Sequence, residues 1–144
     1  SPGCEAVILP EKQAGQGNFL QVKNRVGRGV FAAVSATRFP LKESDRILLF
    51  HLTDTQVEKL KFANAAGSRL ERFGKGRFLA ERGEAEIECA VSPGTEVELY
   101  RVDTSGRRQG RVPFTRSGSG AIRFNARVFA PEGAGFLYEL VRKR

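Results

Sequence analysis

The chain has little of what most catalytic and metal sites are built from. Its 144 residues include one histidine, two cysteines, and neither tryptophan nor methionine. A Ser-His-acid triad would have to use His51, and no Gly-x-Ser-x-Gly elbow is present. A metal site needs several converging His, Cys or carboxylate ligands, and the two cysteines lack ligand spacing. The sequence therefore predicts no catalytic residues, no metal and no cofactor.

Long apolar runs are also missing. No stretch approaches the roughly 18 apolar residues of a membrane span, so no membrane partner is predicted. The N-terminus lacks a basic segment followed by an apolar one, as a signal peptide would have. The start at Ser1-Pro2-Gly3, without methionine, predicts an end made by processing or by excision from a longer multidomain chain. Apolar residues are 40% and charged residues 28%, which fits a single globular domain over residues 1–144.

Short strands separated by glycine-rich turns dominate what remains. The pattern predicts an all-β fold, an immunoglobulin-like or jelly-roll-type antiparallel β-sandwich of about nine or ten short strands. The last third is interpreted as two hairpins, the second of which joins residues 122–129 to residues 136–141. Residues 53–67 are predicted to be an irregular loop with at most one helical turn. Residues 77–80 and 85–91 are predicted to form a further hairpin.

Alternation along the strands predicts which side chains face inward. Phe124 has the inward phase of its strand and Phe129 the outward phase. His51 lies in an apolar strand and is expected to be half-buried and hydrogen-bonded. Cys89 has an inward phase, and whether it forms a disulfide with Cys4 is left open.

The positive charge is concentrated in the last third. The formal net charge is +8, and residues 101–144 hold ten basic and three acidic side chains. Such asymmetry suggests a polyanion partner. The alternative is that acidic residues 84, 86, 88, 96 and 98 face Arg123 and Arg127 as cross-strand ion pairs. No RNA-binding or DNA-binding motif is present, so nucleic acid is not the expected partner.

Sugar binding on a β-sandwich commonly uses exposed aromatic rings that match the C–H face of a pyranose. The absence of tryptophan argues against a flat platform for crystalline polysaccharide but leaves a loop site, or a site for acidic sugars built on arginine, open. The candidate ligand-binding residues are Tyr100, Arg107, Arg108, Arg111, Arg116, Phe129 and Tyr138.

Four segments carry a resemblance to a known family. Residues 31–50 lead from Phe-Ala-Ala-Val-Ser-Ala-Thr through Pro-Leu-Lys-Glu-Ser-Asp-Arg into Ile-Leu-Leu-Phe. Residues 72–76, Arg-Phe-Gly-Lys-Gly, stand where the family has Trp-Gly followed by proline. Residues 102–108, Val-Asp-Thr-Ser-Gly-Arg-Arg, fit its turn, and residues 137–141, Leu-Tyr-Glu-Leu-Val, fit its last strand. Over roughly residues 30–141 the chain resembles the C-terminal accessory β-sandwich that follows the TIM barrel in some microbial glycoside hydrolases.

The resemblance implies a non-catalytic, carbohydrate-associated accessory module. Its expected partners are a polysaccharide, with an acidic one as the first to test, and a glycoside hydrolase catalytic domain in the same chain. The expected location is secreted or on a bacterial cell surface. Two alternatives stay open at this point: a structural domain that packs on the catalytic barrel without a ligand of its own, and a module that binds nucleic acid or sulfated glycan.

Overall fold

The computed structural model describes residues 2–131 and 133–143, so Ser1, Glu132 and Arg144 lie outside the described residues. The described residues form seventeen strands and no helix. The strands are β1 (Cys4–Leu9), β2 (Ala14–Gln16), β3 (Leu20–Val26), β4 (Gly29–Ser35), β5 (Arg46–Leu52), β6 (Thr55–Val57), β7 (Lys61–Phe62), β8 (Leu70–Arg72), β9 (Phe78–Ala80), β10 (Glu84–Cys89), β11 (Val97–Val102), β12 (Arg108–Arg111), β13 (Thr115–Arg116), β14 (Ile122–Arg127), β15 (Phe129–Ala130), β16 (Gly133–Ala134) and β17 (Leu137–Arg142).

Two antiparallel sheets pack face to face. The first has six strands in the order β1-β4-β5-β17-β11-β12, and the second has five in the order β13-β14-β10-β3-β2. The ring of Phe124 in the second sheet lies 5.2 Å from the ring of Tyr138 in the first, centroid to centroid. The predicted all-β sandwich is confirmed. The chain has more strands than expected because six short strands form three separate two-stranded ladders outside the two sheets.

The core lies between the two sheets and follows the alternation of the strands. In β10, Ala85, Ile87 and Cys89 are buried, and the intervening glutamates point outward. In β14, Phe124 is buried as predicted, and Phe129 just beyond it is 46% exposed, also as predicted. Apolar side chains of this number and size supply the main stabilising free energy of such a domain.

The predicted hairpin between residues 122–129 and 136–141 is wrong. β14 lies in the five-stranded sheet beside β10 and β13, whereas β17 lies in the six-stranded sheet between β5 and β11. The chain changes sheets after β14, and the small β15–β16 ladder occupies the crossing. The inward apolar faces of the two strands instead pack against each other across the core, where Phe124 contacts Tyr138.

Residues 53–83 leave the sandwich after β5 and return to it at β10, and we call this segment the arm. β6 pairs with β9, and β7 pairs with β8 farther along, which makes the arm a two-stranded hairpin. Two predictions are corrected here. Residues 53–67 contain strands instead of an irregular loop, and β9 pairs with β6 instead of β10. The structure describes the whole arm, and none of its side chains belongs to the buried hydrophobic core.

Gly27 closes the tight turn between β3 and β4 at the base of the arm. Its φ is +73°, and a Cβ built there would lie 2.5 Å from the carbonyl oxygen of Arg82. The turn is held by the buried Asn24 side chain, whose amide donates to the Gly27 carbonyl oxygen at 2.6 Å.

Substitution of this glycine should therefore destabilise the fold. We expect Gly27→Ala to lower the free energy of unfolding by about 2 kcal/mol, since it combines a left-handed backbone with a backbone clash. Urea unfolding measures this. Gly118→Ala is the control, because its Cβ meets nothing within 4 Å, and it should change the free energy by less than about 0.5 kcal/mol. Equal values for the two variants would contradict the explanation.

Candidate functional site

Tyr100 lies on the outer face of the six-stranded sheet in the middle of an ordered group of arginines. The guanidinium carbon of Arg108 is 4.1 Å from the Tyr100 ring centroid, and that of Arg111 is 6.0 Å away. The Tyr100 hydroxyl donates to Glu98 at 2.6 Å. The structure thus brings three of the predicted site residues together, but Arg108 already covers the Tyr100 ring that a sugar would stack on.

A buried carboxylate joins two of the arginines on this face. Glu139 is 2% exposed and accepts hydrogen bonds from Arg46 and, at 2.5 Å, from Arg108. Burial raises the pKa of Glu139, but the hydrogen bonds from Arg108 and Arg46 outweigh it, and the pKa lies below the ordinary value. Arg111 is engaged by Glu98 at 2.5 Å. These arginines therefore serve ion pairs within the sheet.

Arg107 and Arg116 belong to two separate turns. Arg107 follows a turn ordered by Asp103, whose carboxylate accepts from the backbone and hydroxyl of Ser105 and from the backbone of Arg107. The hydroxyl of Ser105 and these backbone donors lower the pKa of Asp103 to about 2. Arg116 donates instead to the carbonyl oxygens of Thr95 at 2.6 Å and Gly120 at 3.2 Å. Arg116 thus ties two loops together, and the side chain of Arg107 is exposed.

The two remaining candidates have opposite environments. Tyr138 is 2% exposed, so it cannot present its ring to a sugar as the sequence predicted. Its hydroxyl accepts from the Arg127 backbone N–H at 2.9 Å and donates to the Arg127 carbonyl at 3.1 Å. The physical reason is that Tyr138 faces inward from β17 beside Phe124, and its hydroxyl satisfies the backbone N–H and C=O of Arg127 at the end of β14. Phe129 is exposed and lines an apolar depression beside the arm.

The alternative explanation of the basic surplus is confirmed for Arg123, whereas Arg127 forms no ion pair among the described residues. Arg123 pairs with Glu88 at 2.7 Å and with Glu86 at 3.7 Å across the β10–β14 ladder. Arg127 lies opposite Glu84 in the same register. Glu96 and Glu98 face other partners than predicted, since both accept from Lys143 at 2.9 Å and 3.1 Å.

An apolar depression of about 230 Å³ lies between the arm and the β15–β16 ladder. Its walls are formed by Thr55, Phe78, Leu79, Ala80, Phe129, Ala134 and Phe136. Phe78 is 81% exposed and Leu79 is 48% exposed. Sequence reasoning missed this surface because it paired residues 77–80 with residues 85–91, and the phenylalanines of the arm were the available signal.

A second depression, of about 310 Å³, opens between the edges of β12 and β14, and we call it the arginine pocket. Arg101, Arg111 and Arg127 line it together with the amides Gln109 and Asn125. Arg101 was not predicted as a site residue. Its inward phase with Val97 and Leu99 in β11 was the signal that could have found it.

The single histidine and the two cysteines form no reactive group with one another in the structure. His51 is fully buried, stacks on Phe31 at 4.7 Å, and has neither ring nitrogen hydrogen-bonded among the described residues. The prediction that His51 is half-buried and hydrogen-bonded is therefore wrong. His51 lies on the inward face of β5, which the second sheet covers. Cys4 is exposed and Cys89 buried, and both are free thiols. Burial raises the pKa of Cys89 far above its ordinary value.

The fold and these surfaces define the class of protein: an all-β sandwich with a projecting β-arm, an apolar depression and an arginine pocket. No family model, no curated protein and no solved structure matches the chain. No cluster of three metal-ligating side chains occurs in residues 2–131 and 133–143. Within the same part of the chain, no helix is long and apolar enough to cross a membrane.

Proposed function

We propose that this chain is a non-catalytic accessory module that packs through its arm on a glycoside hydrolase catalytic domain. The observation that carries the proposal is the exposed apolar surface of the arm. The resemblance of roughly residues 30–141 to accessory sandwiches of such enzymes names the partner. Polysaccharide binding at the Tyr100 face stays a prediction, and the contacts that its arginines already make count against it.

The arm places large apolar side chains in water. Phe73 and Phe78 are 80% and 81% exposed, and the cross-strand neighbours Phe62 and Leu70 are each 40% exposed. Scattered apolar residues are normal on a protein surface, but a concentration of this kind marks an interaction site. The arm surface and the apolar depression adjoin each other through Phe78 and Leu79. A protein partner seated on the arm would cover both.

The arm also lacks the means to hold its shape alone. A two-stranded ribbon without a third strand or a packed face is marginally stable in water. The ion pairs along the arm are exposed to solvent, such as Lys61 with Glu71 at 2.8 Å and Arg77 with Glu58 at 3.8 Å. Exposed pairs contribute little. A partner that buries the phenylalanines would supply the missing packing.

The charge of the arm indicates which kind of partner surface would be complementary to it. Residues 53–83 contain seven basic and four acidic side chains. A complementary surface would have an apolar centre and an acidic rim, since matched charge orients partners and excludes wrong ones. The proposal thus commits to a folded protein with an acidic rim, here the catalytic domain.

The test uses the double variant Phe73→Ser/Phe78→Ser and measures binding of the tagged chain to the separately produced catalytic domain by calorimetry. We expect affinity to fall about 1,000-fold, since each buried phenylalanine contributes roughly 2 kcal/mol and the two together roughly 4 kcal/mol. The matched control is Phe39→Ser, which removes a 38% exposed phenylalanine on the β4–β5 connection. It should leave binding unchanged.

Three results would overturn the proposal: no binding by the unmodified chain, equal binding by the double variant, or equal loss in the Phe39→Ser control. Circular dichroism of each variant checks that the sandwich is retained. Since the arm contributes nothing to the buried core, the double variant should unfold at the same urea concentration as the unmodified chain.

A further inference from the structure

The geometry points to a second site, in which the arginine pocket binds the carboxylate of an acidic sugar residue. This inference goes beyond the docking function and does not depend on it, because the arginine pocket and the arm surface are separate. Phe129 lines the apolar depression, whereas its neighbour Ala130 lines the arginine pocket. The β15–β16 ladder thus stands between the two surfaces.

Arg101 supplies a fixed positive charge in the wall of the pocket. It is 8% exposed, and its guanidinium donates to the carbonyl oxygens of Arg127 at 3.1 Å, Val128 at 2.9 Å and Gly133 at 2.8 Å. Its partners are neutral, and no carboxylate among the described residues forms an ion pair with it. A buried charge without an opposite charge is unusual. An anion in the pocket would compensate it.

Two more arginines line the same space. Arg127 has no ion pair within residues 2–131 and 133–143, and its cross-strand neighbour Glu84 is engaged by Arg82 at 2.6 Å. Arg111 is held from one side by Glu98. The pocket lining contains three arginines and no acidic side chain. The planar guanidinium matches a carboxylate through two parallel hydrogen bonds, which favours this anion.

The remaining walls suit a sugar ring carrying that carboxylate. Val112, Pro113 and Ala130 supply apolar surface, which matches the C–H face of a pyranose. The side-chain amides of Gln109 and Asn125 can donate to and accept from hydroxyl groups. The volume of about 310 Å³ lies at the lower end of the range for small-molecule sites, roughly 300–1,000 Å³.

A glycine keeps the pocket open. Gly110 is exposed and lies directly opposite Arg101 in the β11–β12 register, so a side chain at position 110 would extend from the same face of the sheet as Arg101. A Cβ at Gly110 would meet nothing within 4 Å. A larger side chain at this position would therefore extend into empty space without straining the backbone. Gly110→Leu fills the pocket and leaves the charges of the chain unchanged.

The experiment is an NMR titration of the isotopically labelled chain with trigalacturonate, at moderate salt. The parallel probes are maltotriose, which is neutral, acetate, which lacks the ring, and inorganic sulfate, which is a different anion. We expect trigalacturonate to shift the signals of Arg101, Gln109 and Asn125, and to bind at least about ten-fold more tightly than each other probe.

The variants separate the pocket from general charge. Arg127→Gln should weaken trigalacturonate binding about ten-fold, and Gly110→Leu by at least as much. Arg107→Gln removes the same charge from an exposed turn and should change affinity less than about two-fold. Sulfate binding as tightly as trigalacturonate, equal losses in Arg127→Gln and Arg107→Gln, or no shift at all in the unmodified chain would each overturn the proposal. None of these outcomes bears on docking through the arm.

Discussion

Between pH 6.5 and pH 4, the free energy of unfolding should fall by about 3 kcal/mol because of His51 alone. Burial lowers the pKa of His51 from 6.5 to about 4 in the folded chain. The unfolded chain therefore binds a proton in this pH range that the folded chain does not. The stabilisation that depends on neutral His51 is fully present above pH 6.5 and is lost as the pH falls from 6.5 to about 4.

The structure explains why His51 resists protonation. The ring stacks on Phe31, and a Cβ on Gly83 would lie 2.8 Å from the ring Nε2. No carboxylate or carbonyl among the described residues accepts a hydrogen bond from either nitrogen. An imidazolium in this environment would be a buried charge without a partner, and the neutral form is the less costly one.

Two measurements check this prediction. His51 is the only histidine of the chain, so its NMR signals can be followed without ambiguity, and we expect a titration midpoint of about 4. His51→Leu should remove the part of this fall, about 3 kcal/mol, that comes from His51. It should also be more stable near pH 7 by about 1 kcal/mol, since it removes two buried polar atoms that lack partners. A midpoint near 6.5, or an unchanged pH profile in His51→Leu, would contradict the explanation.

Alternation along the strands was enough to predict the fold class and the inward side chains of β10 and β14. Each of these strands has one buried face and one solvated face, so period-two patterning applies. Tyr138 was a wrong site candidate, because alternation places it with Leu140 on the inward face of β17, where its ring packs on Phe124 of the other sheet.

Strand pairing was predicted less well because it depends on contacts that are distant in sequence. β14 and β17 are neighbours along the chain and look like a hairpin, yet they belong to different sheets. The same limit applies to the sites. Arg101 was visible only as an arginine with an inward phase. The position of Arg127 beside Arg101 could not be predicted from the sequence, because it depends on how one sheet packs on the other.

The arm shows a different limit. Its apolar residues have neither clear helical nor clear strand periodicity, since they do not face a core. Patterning describes how a chain buries apolar surface within itself, and it is uninformative where that surface is left for a partner. The failure of the pattern over residues 53–67 is therefore consistent with the proposed docking role.

The second large effect is expected at Glu139. This carboxylate is buried on the outer face of the six-stranded sheet under Arg46 and Arg108, which lie 93 and 31 residues away in sequence. Removing both arginines would leave the carboxylate buried without a charge partner. We expect Arg46→Met/Arg108→Met to lower the free energy of unfolding near neutral pH by about 3 kcal/mol. Methionine keeps apolar cover over the site, so the change is chiefly one of charge.

In that variant the contribution of Glu139 to the pH dependence of stability should have the opposite sign to its contribution in the unmodified chain. In the unmodified chain the pKa of Glu139 lies below its ordinary value, so its contribution is present above that value and lost in acid. Without the arginines, burial alone acts and raises the pKa of Glu139. The deficit of the variant should then shrink as pH falls and the carboxyl group takes up a proton.

Adding Glu139→Gln to the double variant supplies the decisive comparison. Glutamine has nearly the same shape and no charge, so most of the lost stability should return near neutral pH, and the triple variant should show no residual dependence on this group. Urea unfolding at neutral and acidic pH measures all three chains. If the double and triple variants are equally unstable at every pH, the arginines act through packing on Tyr100 and the sheet. The ion pair with Glu139 would then not be what stabilises this face.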